Sequence, residues 1–141
     1  MAHAEKRIIV PRPGPEVFAF LSDIANMPTW IPAVQRLDLV SGTAGAAGAE
    51  YAAVVDVGGS IRSGRLTIVR LDPPTGIGIR ISASPIRIEG TVAIDDHGDA
   101  SDVAVVLDAP TGGLLRLMDG QIAQALEGAL EELPRLADAM P

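Results

Sequence analysis

Apolar and polar residues alternate with a period of two over much of the chain. Ile77, Ile79 and Ile81 fall on one face with Gly78, Arg80 and Ser82 on the other. Ile86, Ile88, Val92 and Ile94 oppose Arg87, Glu89, Thr91 and Asp95, and Val103, Val105 and Leu107 oppose Asp102 and Asp108. Side chains of a strand point to opposite faces in turn, so this pattern predicts strands with one face in a core and one in water. Strands are expected at Glu5–Val10 and over 33–40, 49–57, 61–71, 76–83, 86–95 and 101–109. Gly58-Gly59 is a two-residue hairpin signal, and Asp72-Pro73-Pro74-Thr75-Gly76 and Asp95-Asp96-His97-Gly98-Asp99 also read as tight turns. Links this short favour antiparallel neighbours in a meander.

Two other stretches follow a helical period. After Pro11 to Pro15, Val17, Phe20, Leu21 and Ile24 recur at helical spacing, and Ser22-Asp23 predicts a second short helix that stops before Pro28. Beyond Pro110-Thr111-Gly112-Gly113, a long helix is expected from Leu114 to Leu136, with Leu115, Met118, Ile122, Leu126, Ala129 and Leu133 as its apolar stripe. Gly120 and Gly128 weaken it by about 1 kcal/mol each relative to alanine, and Pro134 ends or bends its last turn. The wide aliphatic sheet face needs a cover, and this helix supplies one. Neither a repeat nor a linker divides the 141 residues, so one α+β domain over 1–141 is expected.

Composition narrows the function. The net charge is −7, the calculated pI is about 4.6, and Lys and Arg never form a run, so nucleic acid is not an expected partner. With no cysteine, thiol nucleophiles, thiolate-held zinc and iron–sulfur clusters are excluded. His3, in the N-terminal tail, and His97, in a polar turn, are poor candidates for an interior acid or base, and no metal or cofactor is expected. The sequence shows no secretory signal and no apolar run able to cross a bilayer, so a cytoplasmic protein without integral membrane association is expected, and a homodimer remains open. Hydrophobic residues make up 48% of the chain while aromatic ones make up 3%, so Ala, Val, Ile and Leu must fill the interior. Two interiors fit that composition: a collapsed aliphatic core, or a pocket of about 300 Å³ or more, the lower end for small-ligand sites.

The order of elements, with Val17-Phe18-Ala19-Phe20-Leu21-Ser22-Asp23-Ile24, Asn26-Met27-Pro28-Thr29-Trp30-Ile31-Pro32, Ser41-Gly42 leading to Gly48, Leu71-Asp72-Pro73-Pro74 and the closing helix, resembles the START-like or helix-grip (SRPBCC) superfamily and its polyketide cyclase/dehydrase and lipid transport group. The resemblance implies a curved antiparallel sheet of about seven strands around a long C-terminal helix, two short helices after the first strand, and an apolar cavity between sheet and helix. It implies binding or transport of a hydrophobic small molecule such as a lipid or polyketide. An alternative is a cyclase/dehydratase working in the same cavity; a second is an accessory interaction protein resembling carbon monoxide dehydrogenase maturation subunits.

Expected ligand contacts are Phe20, Trp30, Tyr51, Ile79, Ile81, Ile88, Val92, Val105, Met118 and Ile122. Tyr51 offers one hydroxyl on an apolar body. Arg65, if it points inward, is a candidate for a ligand carboxylate or an enolate, and Tyr51 and Arg65 are the candidate catalytic pair. Alternation along 61–71 leaves the orientation of Arg65 open, and Asp56 is expected to face outward. Gln121 and Gln124 are expected to face solvent or the rim.

Overall fold

The computed structural model describes residues 1–141. Seven strands form one antiparallel sheet: β1 (Ala2–Val10), β2 (Val34–Ser41), β3 (Glu50–Val57), β4 (Ser60–Asp72), β5 (Gly76–Ala83), β6 (Ile86–Asp96) and β7 (Ser101–Ala109), in the spatial order β1-β7-β6-β5-β4-β3-β2. Consecutive strands from β2 to β7 are neighbours, as the short turns require, and β1 pairs with β7. Gly58 and Gly59 both take positive φ, at 61° and 91°, which a two-residue turn matched to strand twist demands of both its central positions.

Between β1 and β2 the chain crosses the sheet through α1 (Gly14–Ser22), a 3₁₀ turn (Ile24–Asn26) and α2 (Met27–Trp30). The second helix does not stop before Pro28, as the sequence pattern predicts. It begins at Met27 with Pro28 in its first turn, where a proline's missing N–H costs no hydrogen bond. Gly14 is enforced by contact: a Cβ there would lie 2.6 Å from the Cβ of Asp96.

Regular helix in the C-terminal segment, α3, covers Asp119–Ala129. A 3₁₀ stretch at Gly113–Met118 precedes it, and a 3₁₀ turn at Leu133–Arg135 and α4 (Leu136–Ala139) follow. The uninterrupted helix expected from Leu114 to Leu136 is therefore segmented. Gly113, at φ 62°, opens the segment, and α3 closes at Leu130, whose amide donates back to the Glu127 carbonyl ahead of Pro134. Thr111 is buried and its hydroxyl donates to the Asp119 carboxylate at the start of α3.

The core lies between the concave face of the sheet and these helices. Leu66, Ile68, Val103 and Val105 from the strands meet Leu21 and Ile24 from the crossover and Ile122, Leu126, Leu130, Leu133 and Leu136 from the C-terminal segment. The helix does not sit centrally. It packs along β1 and touches β3 only lightly, so the sheet is gripped more tightly on its β1 side.

Candidate functional site

On the looser side, the β3–β4 hairpin, the segment after α2 and the outer flank of α3 enclose an open depression. Its rim carries Asp56, Gln121 and Gln124, and its walls are Pro32, Ala33, Gly58, Gly59, Ala125, Gly128 and Ala129. It holds about 660 Å³ and is broadly exposed. The two sides of the mouth face each other across small residues: a Cβ on Gly58 would lie 3.7 Å from the Cβ of Ala125, an ordinary contact, and Gly58 is glycine for its φ of 61°.

Ala33, Asp56, Ala125 and Ala129 also line an apolar cavity beneath this vestibule. Thirteen of its 14 lining residues are hydrophobic, among them Met27, Ile31, Val34, Val55, Ile79, Ile81, Ile88, Leu107 and Leu126. The cavity holds about 50 Å³, room for about four waters at roughly 10–15 Å³ each. The expected pocket of about 300 Å³ is thus not present in this form, because Leu107, Leu126 and the isoleucines of β5 and β6 reach far into the space. A second chamber of about 20 Å³ lies deeper, walled by Trp30, Ile77, Gly90, Val92 and Val105 and divided from the first by Met27, Ile31, Ile79 and Leu107.

The expected contacts therefore divide. Ile79, Ile81 and Ile88 line the cavity, and Trp30, Val92, Val105 and again Ile79 line the inner chamber. Ile122 is buried in the core without lining either. Phe20 is half-buried and faces a separate surface depression beside Arg12 and Pro141. Met118 is 37% exposed, because the 3₁₀ stretch it ends turns the helical stripe away from the sheet at that point.

Neither candidate catalytic residue reaches the cavity. Tyr51 is buried, and its hydroxyl accepts the Gly45 amide at 3.1 Å, tying the Gly42–Gly48 loop to the sheet. Arg65 points outward: its side chain is 55% exposed and its Nη1 lies 3.5 Å from Glu50 Oε2. The inward phase of β4 runs through Gly64, Leu66 and Ile68, and a register shift between Ile68 and Arg70 then offsets the alternation. The sequence pattern leaves Arg65 undecided because Ile61 and Val69, apolar residues on its face, are exposed, and because the bulge offsets Leu71.

Asp56 is half-buried at the mouth, where its Oδ1 accepts the Gly59 amide at 2.7 Å and closes the hairpin turn. It is the one ionisable side chain on the cavity wall. Sequence reasoning misses Met27, Ile31, Val34, Val55, Ala125 and Ala129, although Gly90 carries a readable signal: a glycine on the inward face of β6 marks a place where packing leaves room or another group comes close. Trp30 Nε1 is buried and has no hydrogen-bond partner.

Both histidines are surface groups. His3, expected in a tail, belongs to β1 and lies 2.6 Å by its Nδ1 from Asp108 Oδ1, which raises its pKa above the usual 6.5. His97 Nε2 lies 3.0 Å from Asp102 Oδ2, and that hydrogen bond, with Asp95 alongside, raises its pKa too. The Asp96 carboxylate accepts amides from Gly14 and Gly98, each at 3.0 Å, and is held below the ordinary 3.8.

A curved antiparallel sheet closed over a C-terminal helix, with an apolar space reached from one end of the grip, defines a START-like, helix-grip protein. Residues 1–138 match the family described as polyketide cyclase / dehydrase and lipid transport, and the chain belongs to that family. Among solved structures it is similar to the Zhui aromatase/cyclase from Streptomyces sp. R1128, at TM-score 0.76 and 16% identity over 97% of this chain and 92% of that one. A protein from Thermus thermophilus is similar at TM-score 0.72 and 19% identity over 97% of both chains. A START superfamily protein from Mycobacterium smegmatis is similar at TM-score 0.66 and 18% identity over 94% of this chain and 99% of that one. At these identities the likeness is one of fold. No curated protein matches the sequence. None of the helices is long and apolar enough to cross a membrane.

Proposed function

We propose that residues 1–141 act as one binding unit for a hydrophobic small molecule, whose apolar end enters the cavity between sheet and α3 while the remainder sits in the vestibule. The observation that carries this reading is an apolar interior, with 13 hydrophobic residues of 14, that shares Ala33, Asp56, Ala125 and Ala129 with an open and more polar vestibule. About 50 Å³ admits only a slender or compact group, so binding depends on orientation: one apolar end buried, the rest outside. The acidic chain and Asp56 at the mouth disfavour a strongly anionic ligand.

The family name also covers cyclase and dehydratase chemistry, and the Zhui likeness keeps that reading as the alternative. A cyclase would need acid–base groups at the reacting atoms. Against it stands the lining itself, which holds Asp56 as its one ionisable group, already committed to the Gly59 amide.

Displacement of an environment-sensitive naphthalene fluorophore by short alkanes and alkenes tests the binding reading. Wild-type protein is expected to bind the probe and release it to apolar competitors. Ala125→Phe, which sets a ring across the mouth, is expected to lose binding while keeping its far-ultraviolet circular dichroism. Failure of the wild type to bind any apolar probe overturns the proposal.

A further inference from the structure

Trp30 is 2% exposed, and its fully buried indole N–H meets no acceptor. A donor taken from water and left unpaired costs roughly 1–3 kcal/mol, so native proteins rarely keep one without a use. The same side chain walls the 20 Å³ inner chamber, which is large enough for one water or one oxygen atom with a little of its neighbour. Gly90 helps to create that space. A Cβ on it would come within 3.1 Å of Ile79 Cγ1 and 3.2 Å of Leu107 Cδ2.

A trapped water is a poor solution there. Buried waters need two to four polar partners, and ten of the 12 residues around the chamber are hydrophobic. The other two are Gly90, whose backbone belongs to the sheet, and Thr91, which alternates to the exposed outer face. One unpaired donor on a residue that walls an otherwise apolar chamber matches a single acceptor oxygen carried on an apolar body.

From the buried, unpartnered Trp30 N–H and the chamber beside it, we infer that the ligand is an apolar molecule bearing a carbonyl-type oxygen on its buried end, and that Trp30 Nε1–H donates to that oxygen. This rests on the binding reading above and narrows its ligand class. The oxygen reaches the chamber past Met27 and Ile79, which separate the two spaces; the thioether chain of Met27, with its rotatable bonds, is the adaptable part of that wall.

The matched probes 2-hexanone and 2-methyl-1-hexene have the same shape and differ in an oxygen against a methylene. Trp30 is the only tryptophan, so a ¹⁵N-labelled sample gives one indole N–H resonance. Saturating 2-hexanone is expected to move that resonance downfield, as hydrogen bonding does, while the alkene leaves it near its free position. In competition with the fluorophore, Trp30→Phe is expected to weaken 2-hexanone about fivefold, the worth of one net hydrogen bond, and to leave the alkene within about twofold. Equal shifts with both probes, or equal loss of both in the variant, overturn the carbonyl assignment while leaving the binding reading in place. Binding of neither probe to wild-type protein overturns both. The resonance measurement uses unmodified protein, so it decides the matter even if the phenylalanine variant folds poorly.

Discussion

Replacing Val34 and Val55 together by isoleucine adds one methyl group at each of two buried positions on the cavity wall, which are 4% and 3% exposed. Valine and isoleucine share β-branching, so strand propensity barely changes and the effect reports on the space itself. Burying two carbons is worth about 1.6 kcal/mol at roughly 0.8 kcal/mol each. Freezing the longer side chains takes back part of this, leaving a gain of about 1 kcal/mol. In a close-packed interior the same additions force neighbours off their rotamers and destabilise by about 1–3 kcal/mol. The sign of the change therefore distinguishes an open cavity from a collapsed core. Urea unfolding at constant m-value measures it, and the melting temperature is expected to rise by about 3 °C for a chain of this size. Under the proposed binding role, fluorophore binding is expected to fall in parallel, because the methyl groups would fill the space proposed for a ligand. A loss of about 1 kcal/mol or more, with probe affinity unchanged, would refute both the open cavity and its use.

Two further outcomes test the frame around the site. Gly64→Ala would set a Cβ 2.3 Å from the Ser82 carbonyl oxygen and 2.9 Å from the Ala83 Cβ, a clash with backbone that cannot rotate away, so a loss of about 3 kcal/mol or more is expected in chemical unfolding; a loss under about 1 kcal/mol would mean that β4 and β5 are not held that close. Stability should fall at both ends of the pH scale for different groups: the contribution of Asp96, whose pKa is lowered by the Gly14 and Gly98 amides, is present above pH 3.8 and disappears as pH drops through its folded value, whereas that of His97, raised by Asp102, is present below pH 6.5 and disappears as pH climbs through its folded value. Thermal melts of Asp96→Asn should show a shallower acid limb and those of His97→Gln a shallower alkaline one, and unchanged limbs would remove these assignments.

The hairpins are legible in the sequence because each rests on a local requirement. Gly58-Gly59 needs two positive φ angles and has them, and the inward phase of Ile77, Ile79 and Ile81 follows directly from the pleat. Misreadings fall where one residue's environment depends on a distant element. Arg65, whose direction alternation leaves open, points outward in regular register with Ser82, ahead of the shift that follows Ile68. Tyr51 turns its hydroxyl to Gly45 and not to the cavity, because an unpaired loop amide lies within reach. Met118 falls by spacing on the apolar stripe of a helix whose regular turns begin only at Asp119. The small wall residues Ala125 and Ala129 carry no chemical signal at all; they matter through what they leave empty.

The asymmetry of the grip explains why the cavity is where it is. Leu126, Leu130, Leu133 and Leu136 are large, buried and spaced to seal the C-terminal segment into the core, and α3 packs along β1. On the other flank the helix presents Ala125, Gly128 and Ala129 to the β3–β4 hairpin, where side chains too short to span the gap leave a mouth. The cavity behind that mouth is bounded by strand residues on one side and by Leu126, Ala125 and Ala129 of the helix on the other. The mouth is thus formed by alanine and glycine on one flank of the C-terminal segment while the larger leucines are buried on the other, so substitutions that fill the mouth are expected to leave the sheet folded.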